Sequence, residues 1–248
     1  MRELPNAVIL SGGFGTRLRG VIGSDTPKPM AEVGGRPFIE LLLKQLKRHG
    51  FSRVILSVGY RHEVIREHFG ERAFGMGLVY SVETSPLGTG GALRKAADYI
   101  GSEVALVMNG DSYTDVDLNR LVQKHSRSGA DLTVVAIRGA RSDAGLVVLD
   151  KGGRVVAFAE KRAGSASRYL SAGIYVANKN VIASVSSGER ISLEERLFPE
   201  WLSKGKHIRG FIFDGPCLDI GTPERFQMAQ TALEKAESGR VFESEGQS

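Results

Sequence analysis

The sequence predicts an α/β protein in which a mostly parallel sheet lies between two layers of helices. Short runs rich in β-branched residues alternate with amphipathic helical stretches through the first half of the chain. Glycine-rich loops follow several of the predicted strands. The 248 residues are 42% hydrophobic and 25% charged, which is ordinary for a globular domain with a buried core.

The first half of the chain alternates strand and helix four times. Strands are predicted at residues 7–10, 54–58, 78–82, 104–108 and 132–137, and helices at residues 37–49, 63–69, 90–99 and 118–126. This alternation is typical of a parallel sheet that is covered on both faces. Ligands of such sheets bind at the carboxyl ends of the strands.

After residue 137 the pattern changes to successive strands. Residues 146–149, 155–159 and 173–176 predict a hairpin and added antiparallel strands. A last strand at 210–213 precedes a helix for which Thr222 is the expected N-cap and Pro223 the first residue. We expect one domain over residues 1–235 and a flexible tail over residues 236–248.

The chain has a formal net charge of +5, which favours an anionic ligand. Its Lys and Arg residues are scattered along the chain, so a phosphorylated small molecule is a better candidate ligand than nucleic acid. Cys217 is the single cysteine, which excludes an internal disulfide and a cysteine-based zinc site. The apolar stretch near the N-terminus is too short for a signal peptide or a membrane span. We therefore expect a cytoplasmic protein without nucleic-acid or membrane partners.

A glycine-rich loop at residues 11–18 follows the first predicted strand directly, and its backbone N–H groups can approach phosphate oxygens. The loop does not match a Walker loop, and Leu18 stands where a dinucleotide fingerprint requires its third glycine. The glycines alone are equally consistent with an ordinary turn, but Arg17 adds a forked, permanent positive charge that suits phosphate. Lys28 lies between two prolines, which stiffen its backbone and help to place its ammonium group.

The Gly-Thr-Arg-Leu loop followed at this distance by Pro-Lys-Pro resembles the sugar-1-phosphate nucleotidyltransferases, also called nucleotide-sugar pyrophosphorylases. The resemblance extends to about Arg225. It implies a three-layer α/β/α Rossmann-like nucleotidyltransferase fold. It also implies an enzyme that joins a nucleoside monophosphate from an NTP to a sugar 1-phosphate and releases pyrophosphate. The implied partners are these small molecules, and self-association is left open.

The resemblance further implies which residues bind the nucleotide. Residues 86–92 match the family loop that holds the nucleobase, and Glu83 lies just upstream. The loop leads into a helix whose N-terminus can face an anion, although a plain helix-capping turn is the alternative. The expected nucleotide-binding residues are Leu10, Ser11, Gly12, Gly13, Gly15, Thr16, Arg17, Glu83, Gly88 and Thr89.

Asp111 follows an apolar strand, so its carboxylate is expected at the ligand edge of the sheet. A strand-end Asp is often only a turn former, but the resemblance assigns Asp111 and Asp219 to Mg²⁺. Magnesium usually takes one or two carboxylates together with substrate phosphates.

Arg17, Lys28 and Asp111 form the expected catalytic set. No protein nucleophile is needed, because a sugar phosphate carries its second negative charge above a pKa of about 6. Positioning and charge neutralisation then supply catalysis.

The resemblance also places the sugar phosphate. Glu160 would accept hydrogen bonds from sugar hydroxyls, and Lys161 would neutralise the sugar phosphate. The family often has Pro after this Glu-Lys pair and Asn before Ala-Gly, whereas this chain has Arg162 and Ser171. The sugar side therefore departs from the family pattern while the phosphate side matches it. The expected sugar-phosphate-binding residues are Asn109, Gly145, Glu160, Lys161, Ser171, Ala172 and Gly173.

Residues 27–31, 37–38, 60–69 and 87–92 are most similar to the D-glycero-α-D-manno-heptose 1-phosphate guanylyltransferases. This similarity implies GTP as the donor and a GDP-heptose destined for a bacterial surface glycan. The alternative within the family is a uridylyl- or thymidylyltransferase that acts on a hexose or amino-sugar phosphate.

Two alternatives come from other classes of protein. Asp115 and Asp117 form an Asp-x-Asp that would suit a glycosyltransferase, but they precede a predicted helix, whose N-terminus favours acidic residues. A sugar-nucleotide sensor without turnover is the other alternative. The pair of Asp111 and Asp219 argues against a sensor.

Overall fold

The computed structural model of the protein describes residues 4–139, 145–159 and 169–237. The strands in these ranges are β1 (Asn6–Ser11), β2 (Glu32–Val33), β3 (Arg36–Pro37), β4 (Arg53–Val58), β5 (Arg72–Ala73), β6 (Met76–Val82), β7 (Val104–Asn109), β8 (Ser112–Thr114), β9 (Leu132–Arg138), β10 (Leu146–Leu149), β11 (Val155–Ala159), β12 (Tyr169–Asn178), β13 (Ile208–Phe213) and β14 (Cys217–Asp219). The α-helices are α1 (Arg19–Ile22), α2 (Phe38–Arg48), α3 (His62–Phe69), α4 (Gly88–Ala96), α5 (Leu118–Ser128), α6 (Lys179–Ala183), α7 (Phe198–Ser203) and α8 (Pro223–Glu237). Short 3₁₀ turns cover Lys28–Met30 and Ala97–Tyr99, and a π-helical turn covers Leu193–Leu197.

The central sheet combines a parallel centre with antiparallel additions, as predicted. β7, β1, β4 and β6 are neighbours in this order and run parallel. The predicted hairpin is formed by β10 and β11. β12 pairs antiparallel with β9 along one edge and with β7 and β10 along the other. β9 therefore does not adjoin the parallel strands directly, and β13 extends the sheet by pairing in parallel with β9.

Side chains of the parallel strands alternate between two apolar cores, one on each face of the sheet. Ala7 and Ile9 of β1 point to one core, whereas Val8 and Leu10 point to the other. The first core contains side chains of α2, α3 and α5, and the second contains side chains of α4, α6 and α7. Helices thus cover both faces, which confirms the predicted three-layer arrangement.

A third, smaller core brings the C-terminal helix to the glycine loop. Phe226 and Ala229 of α8 pack with Leu18, the last residue of the loop, and with Phe38 of α2. α8 begins at Pro223 as predicted, and Thr222 Oγ1 accepts a hydrogen bond from Arg225 N at 3.4 Å. None of the helices in the described ranges is both long and apolar enough to cross a membrane.

Candidate functional site

A cavity of about 400 Å³ lies at the carboxyl ends of β1 and β7, the edge of the sheet where ligands are expected. β1 ends at Ser11 and β7 ends at Asn109, so the segments that follow both strands reach the cavity. Most of the predicted phosphate-side residues meet there. The cavity is lined by Leu10, Ser11, Gly13, Gly15, Thr16, Arg17, Leu18, Lys28, Pro29, Thr89, Asn109, Gly110, Asp111, Asp219, Gly221 and Arg225.

The glycine loop and the Pro-Lys-Pro segment are in direct contact. Gly15 has a φ of +59°, a conformation that costs glycine little. A Cβ atom at Gly15 would lie 2.9 Å from Lys28 Cβ, so a larger residue would push the two segments apart. The turn is closed by a hydrogen bond from Leu18 N to Gly15 O at 2.9 Å. Glycine at this position therefore places Lys28 beside the loop.

The cavity wall carries the cationic side chains of Arg17, Lys28 and Arg225. Lys28 Nζ lies 2.5 Å from Asp111 Oδ2, and its side chain is 15% exposed. Arg17 is exposed, and no ion pair joins it to a carboxylate within the described ranges. The wall thus offers the positive charge that a polyphosphate requires.

Asp111 and Asp219 are brought together by a two-stranded antiparallel ribbon. β8 starts directly after Asp111, and its Ser112 pairs with Asp219 of β14. Ile220 N donates a hydrogen bond to Asp111 O at 3.0 Å, which fixes the two residues side by side. Their side chains are 37% and 16% exposed, so both carboxylates are accessible from the cavity.

This carboxylate pair fits a divalent cation that also binds substrate phosphates. Oxygen ligands suit Mg²⁺, which commonly takes only one or two carboxylates from the protein. No cluster of three or more His, Cys, Asp or Glu side chains suited to a metal occurs in the part of the chain that the structure describes. Lys28 pairs with Asp111, and Arg225 Nη1 lies 3.3 Å from Asp219 Oδ1. These cations balance the charge of the two carboxylates.

The predicted nucleobase residues Glu83, Gly88 and Thr89 lie beside the cavity. Thr89 is part of the cavity lining. Gly88 is the first residue of α4. Glu83 lies against the glycine loop, because a Cβ atom at Gly12 would come within 2.1 Å of Glu83 Oε1. Its carboxylate accepts hydrogen bonds from Leu87 N at 3.0 Å and from Ser57 Oγ at 3.3 Å. Burial raises the pKa of Glu83 above that of an ordinary carboxyl, and these two hydrogen bonds offset part of the increase.

Three of the predicted sugar residues, Ser171, Ala172 and Gly173, form a bulge of β12. The β12–β9 register shifts between Ser171 and Tyr175, and Gly173 has a φ of +72°. A Cβ atom at Gly173 would come within 2.9 Å of the Asn109 side chain, so glycine allows the bulge to contact the cavity wall. Ser171 N donates to Gly145 O at 3.1 Å, which brings these two predicted residues together. Ala172 is buried beside them, whereas Glu160 and Lys161 lie outside the described residues.

Some groups at the site were missed by the sequence interpretation. Leu18, Pro29, Gly110, Gly221 and Arg225 line the cavity in addition to the predicted residues. Arg225 lies in the first turn of the helix that follows Asp219, but the local sequence does not show that the two side chains meet. Glu194 also belongs to the surroundings of the site, since it contacts Thr89 and Asn109. Nothing in the local sequence signals it, because its contacts depend on long-range packing.

The Asp-x-Asp at residues 115–117 has the structural role that its position predicts. Asp117 is the N-cap of α5, and its carboxylate accepts a hydrogen bond from Arg120 N at 2.9 Å. Asp115 is exposed and pairs with Arg48 of α2. Neither residue lines the cavity, which disfavours the glycosyltransferase alternative.

Comparison with known proteins matches residues 6–236 to the family model described as Nucleotidyl transferase. The chain is 39% identical to D-glycero-alpha-D-manno-heptose 1-phosphate guanylyltransferase of Aneurinibacillus thermoaerophilus, over 92% of this chain and 98% of the relative. It is 36% identical to the Campylobacter jejuni protein of the same name, over 89% of this chain and 96% of the relative.

A solved structure shares both the fold and the sequence pattern. HddC from Yersinia pseudotuberculosis, crystallised in complex with GMP-PN, superposes with a TM-score of 0.80 and 28% sequence identity. The match covers 93% of this chain and 100% of HddC. The similarity therefore extends over nearly the whole of both chains.

Proposed function

The chain belongs to the nucleotidyl transferase family, and on this basis we propose that it is a sugar-1-phosphate guanylyltransferase. The proposed reaction transfers GMP from GTP to D-glycero-α-D-manno-heptose 1-phosphate and releases pyrophosphate. The observation that carries this proposal is the cavity in which the glycine loop, Lys28 and the Asp111–Asp219 pair converge. The guanylyltransferase names of the relatives and the GMP-PN bound to HddC support guanine as the base and heptose as the sugar.

The glycine loop and its neighbouring cations are suited to the triphosphate. Backbone N–H groups of residues 11–17 can donate to phosphate oxygens, and Arg17 adds a forked cation at the exposed side of the loop. Lys28 is held against the loop at Gly15. These groups would bind and orient the nucleotide before the reaction.

Glu83 supports the choice of guanine. The Watson–Crick edge of guanine presents N–H donors, and a carboxylate supplies only acceptors when it is ionised. Glu83 lies against Gly12 of the phosphate loop, so a base held near residues 83–89 would belong to a nucleotide whose phosphates contact the loop. We assign the base to this side of the cavity.

Asp111 and Asp219 are the residues that would hold Mg²⁺. When bound, the ion would neutralise phosphate charge and bring the two anionic substrates together. The protein's contribution is the ribbon of β8 and β14, which keeps both carboxylates at one wall of the cavity.

The chemistry needs no nucleophile from the protein. An oxygen of the sugar phosphate attacks the α-phosphorus of GTP, a new P–O bond forms, and the bond to the β-phosphate breaks so that pyrophosphate leaves. Lys28 and Arg17 offset the negative charge of the reacting phosphates. The bulge at Ser171–Gly173, with Asn109 and Gly145, would hold the sugar, and we assign Glu160 to its hydroxyls and Lys161 to its phosphate. Because the proposed reaction consumes GTP, we assign the protein to the cytoplasm.

An assay of pyrophosphate release tests the proposal. The protein and Mg²⁺ are incubated with GTP, ATP, CTP, UTP or dTTP, each combined with D-glycero-α-D-manno-heptose 1-phosphate, mannose 1-phosphate or glucose 1-phosphate. We expect the highest kcat/KM with GTP and the heptose phosphate. Equal use of UTP, or activity with glucose 1-phosphate alone, would contradict the assigned substrates. Absence of pyrophosphate with every pair would contradict the reaction itself.

A further inference from the structure

Glu194 lies where three separate elements of the site converge. It belongs to the π-helical turn Leu193–Leu197, and such turns are frequent at functional sites. Glu194 Oε1 accepts hydrogen bonds from Tyr175 Oη at 2.7 Å and from Asn109 Nδ2 at 3.3 Å. Glu194 Oε2 accepts a hydrogen bond from Thr89 Oγ1 at 3.1 Å. One carboxylate therefore joins β12, the end of β7 and the start of α4.

The Tyr175 hydroxyl extends this connection to the sugar-side bulge. Because it donates its proton to Glu194, the 3.1 Å contact with Ser171 Oγ requires the serine to donate. Gly173 N in turn donates to Ser171 Oγ at 3.3 Å. Burial, followed by the negative charge of Glu194, raises the pKa of Tyr175 well above its ordinary value, so its hydroxyl stays a donor. Tyr175 is fully buried and does not line the cavity.

The nucleotide-side loop is fastened to the same turn. Ile191 N donates to Leu87 O at 2.9 Å, and Gly90 N donates to Ile191 O at 2.8 Å. Leu193 N donates to Thr89 Oγ1 at 2.8 Å, which orients the hydroxyl that contacts Glu194. The segment that carries Glu194 thus holds the loop through both backbone and side-chain contacts.

Asn109 depends on Glu194 for its orientation. Its Nδ2 donates to the carboxylate, whereas its Oδ1 is buried without a hydrogen-bond partner among the described residues. Reversing the amide would bring Oδ1 against the Glu194 carboxylate and lose this hydrogen bond. Asn109 lines the cavity two residues before Asp111 and contacts the bulge at Gly173. Its placement therefore affects both sides of the site.

We propose that Glu194 is a positioning residue that holds the nucleotide loop, Asn109 and the sugar-side bulge in one register, so that the two substrates meet in line. This inference rests on the proposed function, because it assumes that both substrates occupy the cavity together. Positioning errors of about 1 Å cost roughly 100-fold in rate, so loss of this carboxylate acts mainly on kcat. Glu194 itself does not touch the reacting atoms.

Glu194→Leu tests the proposal by replacing the carboxylate acceptor with an apolar side chain of similar size. We expect kcat at saturating substrates to fall roughly 10- to 100-fold. Glu194→Gln should keep kcat within about threefold, because one amide oxygen still accepts from Asn109 and Tyr175 while the Thr89 hydroxyl can rotate to accept. The matched control is Glu195→Gln, at the exposed next position, which should leave kcat unchanged. A kcat of Glu194→Leu within twofold of wild type, or an equal loss in Glu194→Gln, would overturn the proposal.

Tyr175→Phe keeps the proposal testable if Glu194→Leu fails to fold. It removes only the hydroxyl between Ser171 and Glu194 and retains the buried ring. We expect kcat to fall about three- to tenfold, the effect of one buried hydrogen bond. Unchanged kinetics would show that the network has only a structural role. All variants are assayed with whichever substrate pair the wild-type protein turns over best, so an incorrect sugar or base would not be mistaken for a failure of Glu194.

Discussion

At the residue scale, the reactive groups of the site are placed by their immediate neighbours. Lys28 contacts Gly15 of the loop on one side and Asp111 at 2.5 Å on the other. Asp111 is followed directly by β8, whose pairing with β14 brings Asp219 to the same wall. Each charged side chain is thus held by contacts with a segment that is distant in the sequence.

We expect Asp111→Asn to abolish most turnover while the fold survives. The substitution keeps the shape of the side chain but removes the charge assigned to the metal and to Lys28. We expect kcat/KM to fall at least roughly 100-fold, the size typical for loss of one preorganised electrostatic group. The free energy of unfolding should change by about 1 kcal/mol or less, because the pair is partly exposed. Asp115→Asn, an exposed position outside the cavity, is the control for both measurements.

Glu83→Gln should separate stability from base recognition. Burial raises the folded pKa of Glu83 above 4.5, so ionising this carboxyl opposes folding, and its contribution to stability is lost as pH rises through the folded pKa. Glutamine does not ionise. We therefore expect the Tm of the variant to exceed that of wild type at about pH 8, and the difference to shrink towards about pH 4.

The same variant should discriminate less between GTP and the other nucleotides, because it loses an anionic acceptor beside the loop. Thermal melts across this pH range and kcat/KM for each nucleotide measure the two effects. Glu67→Gln, at an exposed helical position, is the matched control. A Tm of the variant below that of wild type at alkaline pH would contradict the raised pKa of Glu83.

At the element scale, the strands and helices of the first half could be predicted from the sequence because hydrophobic period and β-branched runs are local signals. The predicted strand at residues 104–108 is β7 with one added residue. The short elements β8 and β14 could not be predicted in this way, because three-residue strands carry too little pattern. β8 and β14 nevertheless determine where Asp111 and Asp219 lie.

The cap of α5 gives a prediction at this scale. Asp117→Ala removes the side-chain acceptor of Arg120 N and should lower the free energy of unfolding by about 1 kcal/mol. Turnover should stay unchanged, because Asp117 lies outside the cavity. Chemical denaturation and the pyrophosphate assay measure the two quantities. A large loss of turnover at unchanged stability would contradict the capping role assigned to Asp117.

At the scale of the whole molecule, the order of strands decides which segments meet. β12 lies between β7 and β9, so the bulge at Gly173 reaches Asn109 at the end of β7. The sequence predicted an antiparallel strand at residues 173–176, but local pattern does not determine where a strand enters a sheet. The convergence of Glu194 with Thr89 and Asn109 depends on the same long-range packing. The glycine loop and the strand end before Asp111 could be predicted, because each is marked by a short stretch of local sequence.

A crystal structure of the protein with a non-hydrolysable GTP analogue and Mg²⁺ tests the proposed site most sharply. We expect the triphosphate to lie in the cavity, with its oxygens about 3 Å from backbone N–H groups of residues 11–17. Lys28 and the carboxylates of Asp111 and Asp219 should face the same phosphates. A triphosphate bound at another surface, with neither the loop nor Asp111 in contact, would contradict the proposed site.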